Sequence, residues 1–160
     1  LKPDKGTVTV NGKTIGKQID FLPSLGVVIE KPGFIENYNQ FDNLKYLAQI
    51  NNIIDDKKII EVIHRVGLDI NNKEKVKTFS LGMRQRLAIA QAIMEDQKII
   101  ILDEPFNGLD KNGCNQIKNL LMELKSPDRL ILLTSHIEGD IDSLSDYIFE
   151  FSDGKISLVK

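Results

Sequence analysis

The sequence has 160 residues, 41% of them hydrophobic, which is enough apolar material for the core of one domain or of a domain and a half. A net charge of -2 offers no general attraction to nucleic acid, and the single Cys114, on a helix surface or in its packing, excludes an internal disulfide framework and suits a reducing cytosol. No apolar run approaches the roughly 20 residues that cross a bilayer, and LKPDKG lacks the charged-then-apolar layout of a signal peptide, so a soluble chain is expected.

In chain order, Leu1 to Gly6 reads as a helix end and turn with no helix in front of it, as if something upstream were missing. Thr7 to Val10 and Lys13 to Ile15 flank Asn11-Gly12, a dipeptide that takes the positive φ angles of a hairpin turn. A short apolar strand over Leu25 to Glu30 breaks at Lys31-Pro32-Gly33. Leu44, Leu47, Ala48 and Ile50 predict a helix over Asn43 to Asn52. Asp55-Asp56 caps another over Lys57 to Val66, with His64 on its surface. These segments form a small helical subdomain.

A further helix is predicted from Ser80 to about Glu95 on Leu87, Ala88, Ala90, Ala92, Ile93 and Met94. KIIILDEPFNGLD follows at Lys98 to Asp110. Its apolar run without alternation predicts a strand buried on both faces of a parallel sheet, ending in Asp103 and Glu104. Those acids either hold a hydrated metal ion and take a proton from an attacking water, or merely cap the next turn. A helix from about Asn112 to Leu124, an apolar strand over Leu130 to Thr134 reaching Ser135-His136, and a closing hairpin around Asp153-Gly154 complete the chain. Strands alternating with helices, delivering polar residues to one edge, predict an α/β fold with a parallel sheet and one functional rim.

Four elements stand in one order: Glu30 after a strand, FSLGMRQRL at Phe79 to Leu87, ILDEP at Ile101 to Pro105 with NGLD at Asn107 to Asp110, and LLTSH ending at His136. Together they resemble the nucleotide-binding domain of an ATP-binding cassette (ABC) ATPase over nearly the whole chain. The resemblance implies a P-loop NTPase-like parallel-sheet core with antiparallel hairpins and a helical subdomain over about 34–95, the sheet core being 1–33 and 96–160, truncated at the N-terminus. By it Asp103 holds Mg²⁺ through water, Glu104 polarises the hydrolytic water, and His136 hydrogen-bonds the γ-phosphate and steadies that water. Ser80, Gly82 and Met83 belong to the signature motif, which contacts the γ-phosphate of ATP held by the opposite subunit. Asp110 closes the D-loop at the dimer interface.

Glu30 stands at the position of the family's Q-loop glutamine, which senses the metal and links the nucleotide site to a membrane partner. A carboxylate there still ligates a cation but adds negative charge near the phosphates. The signature also departs from LSGGQ, with Phe79 for Leu, Leu81 for the first Gly and Met83 for Gln. Glu30 with an SLGM-type signature is similar to the cassettes of bacitracin and lantibiotic exporters.

The resemblance therefore implies an ATP-hydrolysing subunit that dimerises head to tail with a second cassette and drives export through a separate membrane permease. It would lie at the inner face of the cell membrane and bind no nucleic acid. A non-transport ABC ATPase and a catalytically silent fragment are the alternatives. No G-x-x-x-x-G-K-S/T loop, whose backbone N–H groups and Lys cradle phosphates, occurs in residues 1–160. Without the strand and helix that carry that loop, strand 99–104 is expected to lack a central neighbour and to expose apolar surface.

Overall fold

A computed structural model describes residues 3–29, 32–136 and 138–160. The expectations placed on Leu1, Lys2, Glu30 and Lys31 lie outside the described residues. The first hairpin joins β1 (Thr9–Val10) to β2 (Lys13–Thr14). Asn11 and Gly12 between them have φ of 49° and 76°, the paired positive values that the Asn-Gly turn predicts. The second joins β6 (Phe149–Ser152) to β7 (Lys155–Leu158) across Asp153 and Gly154, at φ of 51° and 72°.

Between the hairpins lies a three-stranded parallel sheet of β3 (Leu25–Val28), β4 (Ile99–Asp103) and β5 (Leu130–Thr134), in that order. Among the described residues five α-helices accompany it: α1 (Gln40–Asn51), α2 (Asp56–Arg65), α3 (Leu81–Ile93), α4 (Lys111–Leu124) and the short α5 (Glu138–Ile141). The caps account for their starts. Asn39, Asp55, Ser80 and Asp110 each turn a side-chain oxygen onto a backbone N–H of the first turn of α1, α2, α3 and α4. Helix α1 begins three residues earlier than its apolar spacing indicates, because Asn39 supplies the cap and Asn43 is buried with its amide bonded to Ile35 and Asn39.

Two expectations about KIIILD are corrected. Strand β4 is not left without a neighbour: it pairs with β3 from Leu25↔Ile99 to Val28↔Leu102 and with β5 from Ile99↔Leu130 to Asp103↔Thr134. The strands with one partner in this sheet, among the described residues, are β3 and β5, and β5 carries much exposed apolar surface, Leu130 being 57% and Leu132 49% accessible. Nor is β4 buried equally on both faces. Ile100 and Leu102 are buried, whereas Ile99, Ile101 and Asp103 alternate with them on a half-open face.

The covered face owes its shape to α3. Helix α3 packs on β3 and β4 and also on α1 and α2, so that Leu87, Ile89, Ile63, Ile59, Leu44 and Ile100 share one core. Contact with β3 is so close that a Cβ on Gly26 would stand 1.8 Å from the Ala92 carbonyl oxygen. Below the sheet, Arg129 donates from Nε to the Gln97 carbonyl at 2.9 Å and from Nη1 to the Leu124 carbonyl at 2.7 Å, and pairs with Asp96. The turn before β4 is thereby fastened to the end of α4.

The segment after β3 is held to α3 by its own contacts. Val76 and Lys77 donate backbone N–H bonds to the carbonyls of Tyr38 and Glu36 at 2.8 and 3.1 Å. Arg84 grips the Glu36 carboxylate with both terminal nitrogens, at 2.8 and 2.7 Å. This hydrogen-bonded guanidinium holds the Glu36 carboxyl below its ordinary pKa, and Glu36 in turn raises that of Arg84.

Gly26→Ala is expected to force α3 off β3 and to lower unfolding free energy by about 3 kcal/mol, the upper range for overpacking a tight contact. An unchanged urea midpoint would contradict the observed approach. For Glu36 the folded-state pKa lies below the unfolded one, so its contribution is full above the unfolded value and disappears as pH falls through the lowered one. Glu36→Gln should therefore destabilise the protein at neutral pH and match the wild type in acid. A gap between their urea midpoints that stays constant from neutral pH into acid would refute the pairing.

Candidate functional site

The carboxyl ends of the parallel strands form the rim where open α/β sheets place ligands. Strand β4 ends there in Asp103 and β5 in Thr134, and the parallel register sets the two residues opposite each other. The Thr134 hydroxyl donates to Asp103 Oδ1 at 2.5 Å. It also accepts the backbone N–H of Glu104 at 3.1 Å.

Glu104 is where the chain leaves the sheet, at φ 47°, a left-handed conformation that costs a non-glycine residue on the order of 1 kcal/mol or more. Pro105 disfavours the right-handed helical alternative at the residue before it. The turn is held from both sides. Besides the bond from its N–H to Thr134, the Glu104 carbonyl accepts from Gln85 Nε2 on α3 and from the Asn107 N–H, each at 3.2 Å. Its side chain reaches His136, with Nδ1 2.9 Å from Oε1. An ionised carboxylate only accepts, so the tautomer that suits this contact carries its proton on Nδ1. His136 is exposed and Glu104 half-buried, so the pair faces solvent at the rim.

Asp103 and Glu104 from one stretch and His136 from another are thus brought, with Thr134, into one hydrogen-bonded cluster. Ser80, Gly82, Met83 and Asp110 form a second group, beside the loop between β4 and α4. Ser80 Oγ accepts from the Met83 N–H at 3.2 Å, and Asp110 Oδ1 accepts from the Gly113 N–H at 2.9 Å, so both act as helix caps. Gly82 leaves room for that loop: a Cβ on it would lie 2.6 Å from the Gly108 carbonyl oxygen. Leu81, in place of the first glycine of the signature motif, lies over Gly108 and is 61% exposed. Glu30, predicted as a metal ligand, lies outside the described residues.

Two residues at the rim were not among those singled out from sequence. Gln85 is a buried amide on the apolar side of α3, and Thr134 is the polar residue that ends β5. Aligning the polar ends of the two apolar strands would have placed Thr134 against Asp103. The long-range bond from Gln85 to the carbonyl of Glu104 has no signal in sequence.

The ABC transporter family model matches residues 1–107. The chain is 42% identical over 156 residues to the uncharacterized ABC transporter ATP-binding protein YybJ of Bacillus subtilis (strain 168), covering 98% of this chain and 72% of that protein. It is 37% identical over 139 residues to the lantibiotic transport ATP-binding protein SrtF of Streptococcus pyogenes, covering 87% of this chain and 60% of the relative. It is also 37% identical over 158 residues to the bacitracin transport ATP-binding protein BcrA of Bacillus licheniformis, covering 98% of this chain and 52% of the relative. The chain thus spans between about half and three-quarters of the length of these relatives. In fold it superposes on a dimeric structure of the ATP-binding cassette MJ0796 in a post-hydrolysis state bound to ADP and Pi. The TM-score is 0.82 at 18% identity, over all of this chain and 76% of that one. A parallel α/β core with antiparallel hairpins, the motif order and these matches lead to one conclusion: the chain belongs to the ABC transporter family.

Proposed function

We propose that this chain is part of an ABC transporter ATP-binding subunit that hydrolyses ATP between its own rim and the signature group of a second, head-to-tail cassette. The observation that carries the reading is the cluster of Asp103, Glu104 and His136 at the carboxyl edge of the parallel sheet, with Thr134 beneath it. Within that reading Glu104 accepts a proton from the attacking water. Its Oε1 is engaged by His136, so that task falls to Oε2. His136 orients Glu104 and reaches the γ-phosphate.

The carboxylate of Asp103 is a hard oxygen donor, the type that suits Mg²⁺. Asp103 would hold the ion, with Glu30 as a second ligand, and bound Mg²⁺ would neutralise charge on the phosphates. Ser80, Gly82 and Met83 open α3, where unpaired N–H groups and the helix dipole favour an anion, and would contact the phosphate of the partner cassette. Asp110 belongs to the surface that meets that partner. Residues 34–95 serve as the helical subdomain and 1–33 with 96–160 as the sheet core.

Among the described residues no helix is long and apolar enough to cross a membrane. On this reading transport would use a separate permease that holds the subunit at the inner membrane face. The lantibiotic and bacitracin transport proteins among the relatives support export of a peptide antibiotic. Residues 1–160 contain no Gly-rich loop with a phosphate-binding lysine, so hydrolysis needs one supplied from outside them.

Calorimetry of residues 1–160 alone with Mg-ATP should therefore detect no binding, and micromolar affinity would refute the need for a further phosphate loop. In the full-length protein Glu104→Gln should lower kcat by at least about a hundredfold, the worth of a positioned general base, while ATP still binds. Unchanged turnover would remove Glu104 from that role.

A further inference from the structure

We propose that Thr134 is a positioning residue for the metal-and-water end of this site, its single hydroxyl setting the orientation of the Asp103 carboxylate and the backbone of Glu104 together. The inference rests on the ATP-site reading above. It goes beyond that reading by naming a residue that touches neither ATP nor the attacking water.

A hydroxyl has one proton and two lone pairs, and here both capacities are used in fixed directions. The proton goes to Asp103 Oδ1 at 2.5 Å, and a lone pair receives the Glu104 N–H at 3.1 Å. The first bond fixes the plane of the carboxylate and leaves its other oxygen to be aimed at a cation. The second secures the left-handed turn at φ 47° from which the Glu104 side chain projects to His136. Two adjacent acids with different tasks are thereby set by one group on the neighbouring strand.

Register makes this possible, because Asp103 and Thr134 are Cα partners at the last rung of the β4–β5 ladder. Branching at Cβ restricts the Thr134 rotamer on a strand, so the hydroxyl is held to one direction. Valine has nearly the same shape and neither bond. Serine keeps both bonds with a looser rotamer.

The test uses the full-length protein as wild type, Thr134→Val and Thr134→Ser. Three quantities are measured: ATP affinity with Mg²⁺ and in EDTA, the Mg²⁺ dependence of turnover, and the melting temperature without nucleotide. Loss of a residue that orients a metal ligand typically costs ten- to a hundredfold. Thr134→Val is therefore expected to raise the Mg²⁺ concentration for half-maximal turnover about tenfold and to lower kcat about ten- to a hundredfold. Affinity for ATP in EDTA should stay unchanged, and Thr134→Ser should recover most of both losses.

Wild-type Mg²⁺ dependence and kcat in Thr134→Val would overturn the proposal. So would an equal loss in EDTA and Mg²⁺ accompanied by a lowered melting temperature, since that is the mark of a purely structural hydroxyl. Thr134 is exposed, so Thr134→Ala carries the same comparison if the valine variant does not fold. A wild-type protein that binds no ATP would overturn the ATP-site reading and this role together. A wild type that turns over beside an indistinguishable Thr134→Val would overturn the role of Thr134 alone.

Discussion

The pairing of β4 with β5 is the constraint on which the rest of the site depends. Parallel ladders are slanted and evenly spaced, and a one-residue slip sends every side chain to the opposite face. In the observed register Ile100 and Leu102 enter the core while Asp103 meets Thr134 on the other face, at the strand end. A slip by one would bury Asp103 and bring Leu102 to the rim. Apolar packing below the sheet therefore selects the geometry of the polar groups at its edge.

Helix α3 carries the same constraint to the second group of residues. Its first turn holds Ser80 as a cap and Gly82 against Gly108, its second turn sends Gln85 to the Glu104 carbonyl, and its last turns press on Gly26 of β3. Arg86 adds a further tie, donating to the Val66 carbonyl at the end of α2 and to Gln116 Oε1 on α4 at 2.8 Å. The anion-favouring end of α3 and the acidic rim of the sheet are thus parts of one packed unit. A shift of α3 along β3 would move the signature group and the backbone of Glu104 together.

Much of this was legible in sequence because it rests on local chemistry. Asn11-Gly12 and Asp153-Gly154 take positive φ cheaply, Asp55, Ser80 and Asp110 cap helices, and apolar runs at Ile99 and Leu130 end in polar residues. The readings that went astray concerned partners distant in sequence. An unbroken apolar run is the same string whether a strand is covered on both faces or on one, so KIIIL could not reveal that Ile99 and Ile101 lie on the half-open side. Which strand forms the sheet edge is likewise a matter of pairing, and β4 proved central with β3 and β5 on either side of it. Thr134 and Gln85 were passed over for the same reason: each acts through a bond to Glu104, 30 and 19 residues away.

The open face bears directly on how the rim acts. Asp103 and Thr134 close a face whose other members include Ile99, Ile101, Leu130 and Leu132, and Leu130 and Leu132 are about half exposed. Charges bordered by water interact weakly, roughly 1 kcal/mol for two unit charges 4 Å apart at the dielectric of bulk water and several times that near a protein surface. Leu132 stands two residues before Thr134 on that face, so within the proposed reading a segment laid over it would lower the dielectric beside Asp103 and favour its attraction for a cation. Covering the apolar face and empowering the acids are therefore one event. On the proposed reading, the strand end would gain its electrostatic strength from burial of the apolar face beside it.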